Sequence, residues 1–280
     1  MLNALSIDVE EYFQVSAFES VIPRDDWQNW PSRVAEQTHR LLDLFDTTDV
    51  KATFFTLGWV AERHPGLIRR IIDDGHELAC HGYEHVRITA QTPATFREDL
   101  RKTKTILEDI AGRQVNGFRA ASFSINRDNE WAFTEIEAAG FEYSSSIYPV
   151  KHDLYGIPDA PRVPHRAPGC ERLFEIPVTT ARFGARNVPA GGGGYFRLLP
   201  YTLSRALISR VNLKEAQPAN MYFHPWEFDP GQPRPKGAKF KARFRHYLNQ
   251  DRAFPRLQRL LSDFEWGSFE KVYAPRLAMQ

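Results

Sequence analysis

Short apolar runs alternate with amphipathic stretches along the chain, and several of the runs stop abruptly at a polar residue. Residues 2–8 read as a strand ending at Asp8, followed by a polar, aromatic-rich loop through Trp27 and Trp30. Pro31-Ser32 opens a helix whose apolar positions Val34, Leu41, Leu42 and Phe45 keep close to a 3.6-residue period. Residues 52–57 are rich in β-formers and predict a second strand. A helix marked by Leu67, Ile68, Ile71 and Ile72 then stops at Gly75. Residues 76–81 predict a third strand, 95–110 a long amphipathic helix, and 115–119 a fourth strand. A helix over 130–139 leads to Tyr143 and a serine triplet, and the Pro-rich stretch 150–172 reads as an irregular surface loop. Further on come a strand at 173–178, a helix at 203–211, a strand at 221–224, and a last helix holding Leu257, Leu260 and Leu261. Between them, four glycines at 191–194 ahead of Tyr195-Phe196-Arg197 predict a flexible turn or lid hinge.

Strand and helix in alternation favour parallel strands joined by crossover helices, an α/β arrangement. Asp8, His81, Arg119 and His224 all fall at the C-terminal ends of predicted strands. In a barrel those ends converge on one face, where such folds place their chemistry. A length of 280 residues without a compositional break suits one domain of that kind, over residues 1–280.

Composition narrows the function class. Hydrophobic residues at 42% supply an ample core. A net charge of +1 gives no global field that would favour nucleic acid as a partner. Cys80 and Cys170 are the only cysteines and form no C-x-x-C motif, which argues against a disulfide framework or zinc ribbon. Cys80 is expected to be a small buried residue. No basic leader with an apolar core opens the chain and no apolar run is long enough to span a bilayer, so the expectation is a cytoplasmic protein without a transmembrane segment. The basic stretch 236–246 reads as a solvated face, with an anionic polymer or membrane surface as its alternative partner.

Chemistry concentrates in three places. His81 and His85 are four residues apart with Gly82 between them, a spacing that can aim two imidazoles at one point. Neutral imidazole is the commonest protein ligand for zinc and suits other divalent transition metals. Near the start, Ser6-Ile7-Asp8-Val9-Glu10-Glu11 ends an apolar run in acids. Residues i and i+2 of an extended segment face the same way, so Asp8 and Glu10 can reach one site. Finally, Tyr222-Phe223-His224-Pro225-Trp226-Glu227 ends another apolar run in a histidine, a candidate acid. Taken singly, each of these residues has an ordinary structural explanation; together they supply metal ligands, a base and an acid. Trp27, Trp30, Tyr148 and Trp226 are candidates for a sugar-stacking platform.

In order and spacing these motifs resemble the polysaccharide deacetylases, the NodB-homology family also called carbohydrate esterase family 4. The resemblance covers nearly the whole chain. His81-Gly82-Tyr83-Glu84-His85 resembles the H-[ST]-x-x-H motif, with Gly in place of the hydroxyl residue. Ser6-Ile7-Asp8-Val9 resembles T-F-D-D, Arg119-Ala120-Ala121 resembles R-x-P, and Tyr222-Phe223-His224 resembles L-x-H. Val9 stands where many members have a metal-binding Asp, and Asp8-Val9-Glu10 is similar to the D-x-E form of another branch. Ala121 replaces the usual Pro, and Ser144 stands where an Asp often orients the arginine.

The resemblance implies a deformed (β/α) barrel of the NodB type, with a family-specific C-terminal extension from about residue 228. It implies one divalent metal ion, zinc by preference, held by Glu10, His81 and His85. Asp8 would be the catalytic base, His224 the acid and Arg119 the residue that orients Asp8, with a backbone N–H near Ser122 facing the oxyanion. The implied reaction removes N-acetyl, or O-acetyl, groups from an acetylated oligo- or polysaccharide. Gly192 to Arg197 and His224 to Glu227 further resemble a bacterial branch associated with exopolysaccharide and exosortase systems, which directs the substrate towards an exopolysaccharide or its precursor. Three rivals stand beside this: a glycosidase using Asp8 and Glu10, a non-catalytic sugar-binding relative, and a ring-amide hydrolase of the same superfamily. The glycosidase is disfavoured, because carboxylates on neighbouring same-face positions are too close for the roughly 5 Å or more it needs.

Overall fold

The strand that everything else surrounds is β1, Leu2–Val9, buried from Asn3 onwards. Its alternation sorts two environments. Leu5, Ile7 and Val9 enter the main core between sheet and helices, whereas Ala4, and with it Ser6 and Asp8, faces the concave side of the sheet. In a computed structural model that describes residues 1–153 and 155–277, the other strands are β2 (Thr53–Thr56), β3 (Glu77–Cys80), β4 (Gly117–Phe118), β5 (Tyr143–Ser144), β6 (His165–Arg166), β7 (Phe174–Glu175), β8 (Thr180–Phe183), β9 (Arg186–Pro189), β10 (Asn220–Phe223) and β11 (Glu265–Gly267). Helices α1 (Val34–Thr47), α2 (Gly58–Arg63), α3 (Pro65–Asp73), α4 (Pro93–Ala111), α5 (Trp131–Ala138), α6 (Gly193–Leu198), α7 (Tyr201–Lys214), α8 (Phe240–Tyr247), α9 (Gln250–Asp263) and α10 (Phe269–Leu277) complete it.

The main sheet runs β10-β1-β2-β3-β4-β5-β7-β6, with β11 beside the first residues of β1. All pairings are parallel except β6 with β7. This is the α/β architecture of a deformed (β/α) barrel, a curled sheet wrapped by its crossover helices. It departs from strictly parallel strands at β6, within the stretch expected to be irregular, and at the separate antiparallel hairpin β8–β9.

The helices sit where local chemistry starts and stops them. Thr92 and Thr95 form a reciprocal capping box at the head of α4, with Pro93 in its first turn, and Gly112 ends it in the left-handed region at φ 64°. The amides opening α1 are met from outside the helix: the Glu11 carboxylate accepts from Arg33 N and Val34 N at 3.0 and 3.2 Å. Glu10 and Glu11, adjacent in an extended segment, therefore point opposite ways, one to the concave face and one to a helix terminus. On the concave side the lower layer is apolar. Phe269 of α10 packs edge-on against Phe55 and stacks on Tyr143, with ring centroids 5.5 and 5.6 Å apart. Among the described residues no helix is long and apolar enough to cross a membrane.

The glycine stretch is a correction. Gly191, Gly192 and Gly193 are buried, and the last of them opens α6. A Cβ on Gly191 would stand 2.6 Å from Asn220 O, one on Gly192 (φ 90°) 2.7 Å from the Tyr222 ring, and one on Gly193 would overlap the Glu227 carboxylate. These glycines exist for close approach, not for freedom of movement. The proposed aromatic platform is corrected in three of its four members: Tyr148, Trp27 and Trp226 are buried and pack within the protein, whereas Trp30 is half-buried. Cys80 is a buried free cysteine, as expected.

Candidate active site

Above the apolar lower layer, the concave face turns polar where β1, β3, β4 and β10 end. Asp8 and Glu10 project from β1 and its immediate extension, both 1% exposed. His81 follows β3. Gly82, at φ 77°, and His85, at φ 52°, bend the chain through the left-handed region, and the two imidazoles meet with centroids 5.3 Å apart. A side chain at Gly82 would also stand only 3.0 Å from Asp99 Oδ2. Both features suit glycine at this position.

His81 Nδ1 lies 2.8 Å from Arg119 O, a carbonyl that can only accept, so the proton is on Nδ1 and Nε2 presents a lone pair. Burial pushes its pKa down to about 4, despite the opposing pull of Asp8, which keeps the ring neutral and fit to be a ligand. Nε2 is 3.9 Å from Glu10 Oε2 and 4.0 Å from Asp8 Oδ2. His85 Nε2 is 3.0 Å from Glu10 Oε2. Trp226 fixes that carboxylate by donating its indole N–H to Oε1 at 3.1 Å. Burial would raise the Glu10 pKa, but His85, His224 and His81 outweigh it and hold the carboxyl far below its usual range. Even so, Oε2 is buried without a hydrogen-bond partner. Glu10, His81 and His85 offer three ligand atoms within 4.8 Å of one another. An orphaned carboxylate oxygen facing two imidazole nitrogens fits a divalent cation of the zinc type.

Asp8 faces the same point from the other side. Arg119, wholly buried, donates from Nη1 to Asp8 Oδ1 at 2.5 Å and to Ser6 Oγ at 2.9 Å. Its Nε and Nη2 reach Ser145 O and Oγ, both at 3.1 Å, and the guanidinium lies 3.9 Å above the Phe55 ring. The arginine's partner is thus Ser145 and not Ser144, whose hydroxyl donates to Ser146.

His224 closes the group. Its Nε2 is 3.8 Å from Asp8 Oδ2 and 3.6 Å from Glu10 Oε1. Nδ1 faces Glu227 Oε2 at 3.2 Å, and Arg197 Nε donates to the other oxygen of Glu227 at 2.9 Å. Burial opposes the charged imidazole, yet Glu10, Glu227 and Asp8 prevail and raise its pKa to about 9. With its side chain 18% exposed, His224 is the accessible member of a set whose others are nearly sealed. Glu227 and Arg197 lie within the sequence motifs but carry no role there. The available signal was the three-residue spacing of His224 and Glu227, which lets the acid return to the histidine across one 3-10 turn. A larger cleft, about 720 Å³, opens near Met1 and Glu265 at the opposite end of β1, and no candidate residue lines it.

Two family models divide the chain. Residues 25–143 match "Polysaccharide deacetylase" and residues 145–274 match "Domain of unknown function (DUF3473)". His81, His85 and Arg119 lie in the first, His224 in the second, and Asp8 and Glu10 precede both. A peptidoglycan-N-acetylglucosamine deacetylase of Bacillus cereus is 38% identical over 77 residues, 28% of this chain and 28% of that protein. A peptidoglycan deacetylase-like protein of Gibberella zeae is 33% identical over 118 residues, 41% of this chain and 34% of that protein. The matches thus span about a third or less of those relatives' length. Among solved structures, a putative polysaccharide deacetylase from Mycobacterium smegmatis aligns with TM-score 0.61 at 19% identity, covering 98% of this chain and 90% of its own. An allantoinase aligns with TM-score 0.57 at 17% identity, covering 92% and 82%. At such identities the structural likeness concerns the fold alone.

Proposed function

Because the chain carries a polysaccharide deacetylase domain, we propose that it is a metal-dependent deacetylase that hydrolyses N-acetyl groups, or O-acetyl groups, on the sugars of a polysaccharide. The observation that carries this is the convergence of Asp8, Glu10 and His224 with the two imidazoles on one buried point, at separations of 3.0 to 4.0 Å. Glu10, His81 and His85 would hold the cation, zinc by preference. Bound there, it supplies Lewis acidity that polarises the acetyl carbonyl and makes water acidic near neutral pH.

The protein's own groups divide the remaining work. Asp8 Oδ2 accepts a proton from the attacking water as its oxygen bonds to the acetyl carbon. Arg119 holds the opposite carboxylate oxygen, so Asp8 cannot rotate away from the water. His224, kept protonated by Glu227 and the two site carboxylates, donates from Nε2 to the departing nitrogen as the C–N bond breaks. Acetate and a free amine leave. The backbone turn at Ser122, in the left-handed region at φ 53°, lies beside Ala120 and Arg119 and is where an amide could meet the oxyanion.

Likeness of residues 192–197 and 224–227 to a bacterial exopolysaccharide branch supports an exopolysaccharide or its precursor as substrate; relatives named peptidoglycan deacetylases make a peptidoglycan sugar the second choice. The test pairs metal analysis with acetate release from a panel of acetylated oligosaccharides. His81→Ala with His85→Ala should abolish stoichiometric metal and acetate release while the far-UV circular dichroism stays native. Full occupancy in that double variant would refute the metal assignment. Metal bound by the native protein without acetate release from any sugar would leave the sugar-binding relative in its place.

A further inference from the structure

One helix carries aromatic rings on its outer face. In α8, Phe240 is 85% and Phe244 51% exposed, and the two rings stack with centroids 6.4 Å apart. At about 100° of turn per residue, Arg243 falls to one side of this aromatic crest and Lys241 and Arg245 to the other, all three exposed. His246 faces the opposite way, 3% exposed, and stacks on Trp226 at 4.2 Å, which anchors the helix by its inner face. A single exposed apolar residue is ordinary, but two large rings side by side on a convex crest form a patch that the core does not use.

The charge around the crest has one sign. Between Asp229 and Asp251 the chain holds six Lys and Arg residues and no Asp or Glu. Asp153 meets two of them, Lys241 at 2.7 Å and Arg245 at 3.1 Å. Lys236, Lys239 and Arg243 are exposed and have no ion pair among the described residues. Residues 236–245 also contain no side chain that accepts a hydrogen bond. A neutral sugar needs acceptors as well as donors for its hydroxyls, and an anionic polymer would engage the cations but leave the rings in water. An anionic lipid surface uses both: the rings enter the boundary between headgroups and acyl chains, and the flanking cations reach the phosphates. We propose that α8, with residues 236–239 ahead of it, docks the protein on the surface of an anionic lipid bilayer. Through Trp226, which also stacks on His224 at 4.9 Å, the docking helix stands beside the candidate active site. The proposal goes beyond the deacetylase reading and does not depend on it.

The test is co-sedimentation of the metal-loaded native protein with vesicles of phosphatidylcholine alone, or with about a third phosphatidylglycerol. Each cation near an anionic surface contributes about fivefold in affinity, so three uncompensated ones should make the mixed vesicles bind about 10²-fold more tightly. Salt at about 0.5 M should cancel most of that difference. Phe240→Ser with Phe244→Ser should weaken binding to the mixed vesicles about tenfold or more, and Lys239→Glu with Arg243→Glu should remove the preference for them. All four side chains are exposed, so circular dichroism and metal content should match the native protein. Equal sedimentation with the two kinds of vesicle, or none with either, overturns the proposal. So does binding that survives loss of both rings and is competed away by dextran sulfate, which would assign the cations to an anionic polymer. A lipid-free dimer that the Phe variant dissociates would overturn it too, by giving the crest to a second copy of this chain. Acetate release takes no part in the readout, so failure of the deacetylase reading would leave the docking result standing.

Discussion

Asp8→Asn separates what the Asp8–Arg119 pair does for the fold from what it does for chemistry. Both residues are essentially sealed from solvent, 1% and 0% exposed. Breaking a buried ion pair by neutralising one partner typically costs about 3–5 kcal/mol, because the other charge stays behind. Here Asn can still accept from Arg119, and Ser145 and the Phe55 ring continue to face the guanidinium. The lower end, about 3 kcal/mol, is therefore expected. For 280 residues at about 2.1 cal/mol/K each, the entropy of unfolding is about 0.6 kcal/mol/K, so Tm should fall by about 5 °C. Turnover should fall at least about 10²-fold, the loss expected of a positioned general base. Adding Arg119→Met removes the stranded cation and should recover much of the Tm while turnover stays lost. Scanning calorimetry and acetate release on metal-loaded protein measure both. An unchanged Tm in Asp8→Asn would refute the energetic argument, retained turnover would refute Asp8 as base, and lost metal would make Asp8 a ligand.

Glu227→Gln should leave metal content intact but move the alkaline limb of the rate–pH profile to lower pH. Glu227 is one of the three charges that raise His224, so its loss releases the proton earlier; a limb that does not move would remove His224 as the acid. His76 offers a test of stability far from catalysis. Its Nδ1 accepts the Ala52 N–H at 3.1 Å, and burial pushes its pKa down to about 4. The unfolded chain binds the proton first, so this contribution is present above pH about 6.5 and lost as pH falls through about 4, at most about 3 kcal/mol. In His76→Gln the acid-side loss of Tm should be shallower by that amount, and a loss identical to that of the native protein would contradict it.

Much of this was legible in the chain. β1, β2, β3 and β10 are buried apolar runs, and their polar terminal residues announced the face on which they would meet. The D-x-E spacing was readable because a strand repeats every two residues, and the histidine pair because it spans one tight turn. What escaped had non-local causes. Nothing near Gly191 to Gly193 says that Asn220, Tyr222 and Glu227 will press on them, so a steric requirement looked like flexibility. Nothing near Glu11 in the chain says that its carboxylate will meet the head of α1. Arg119 could have been paired with any of three consecutive serines, and only the register of β4 with β5 selects Ser145. Trp27, Trp226 and Tyr148 read as parts of a sugar platform, yet rings of that size are more readily buried than displayed.

The two edges of β1 have a consequence for how the protein is made. β2 pairs with Ser6 to Val9 and is synthesised soon after, but the other edge waits for β10, whose approach is marked by the Ala219 N–H reaching Asn3 Oδ1 across 216 residues. At roughly 5–20 residues per second, that edge stays unpaired on the ribosome for about 10–40 s. During the wait an apolar strand presents free amides and carbonyls, the kind of surface that recruits strands from other chains. Asp8 and Glu10 spend the same interval without His224 or Trp226. The candidate site is therefore among the last parts of this stretch of chain to be assembled, and until then β1 is a strand in need of a chaperone.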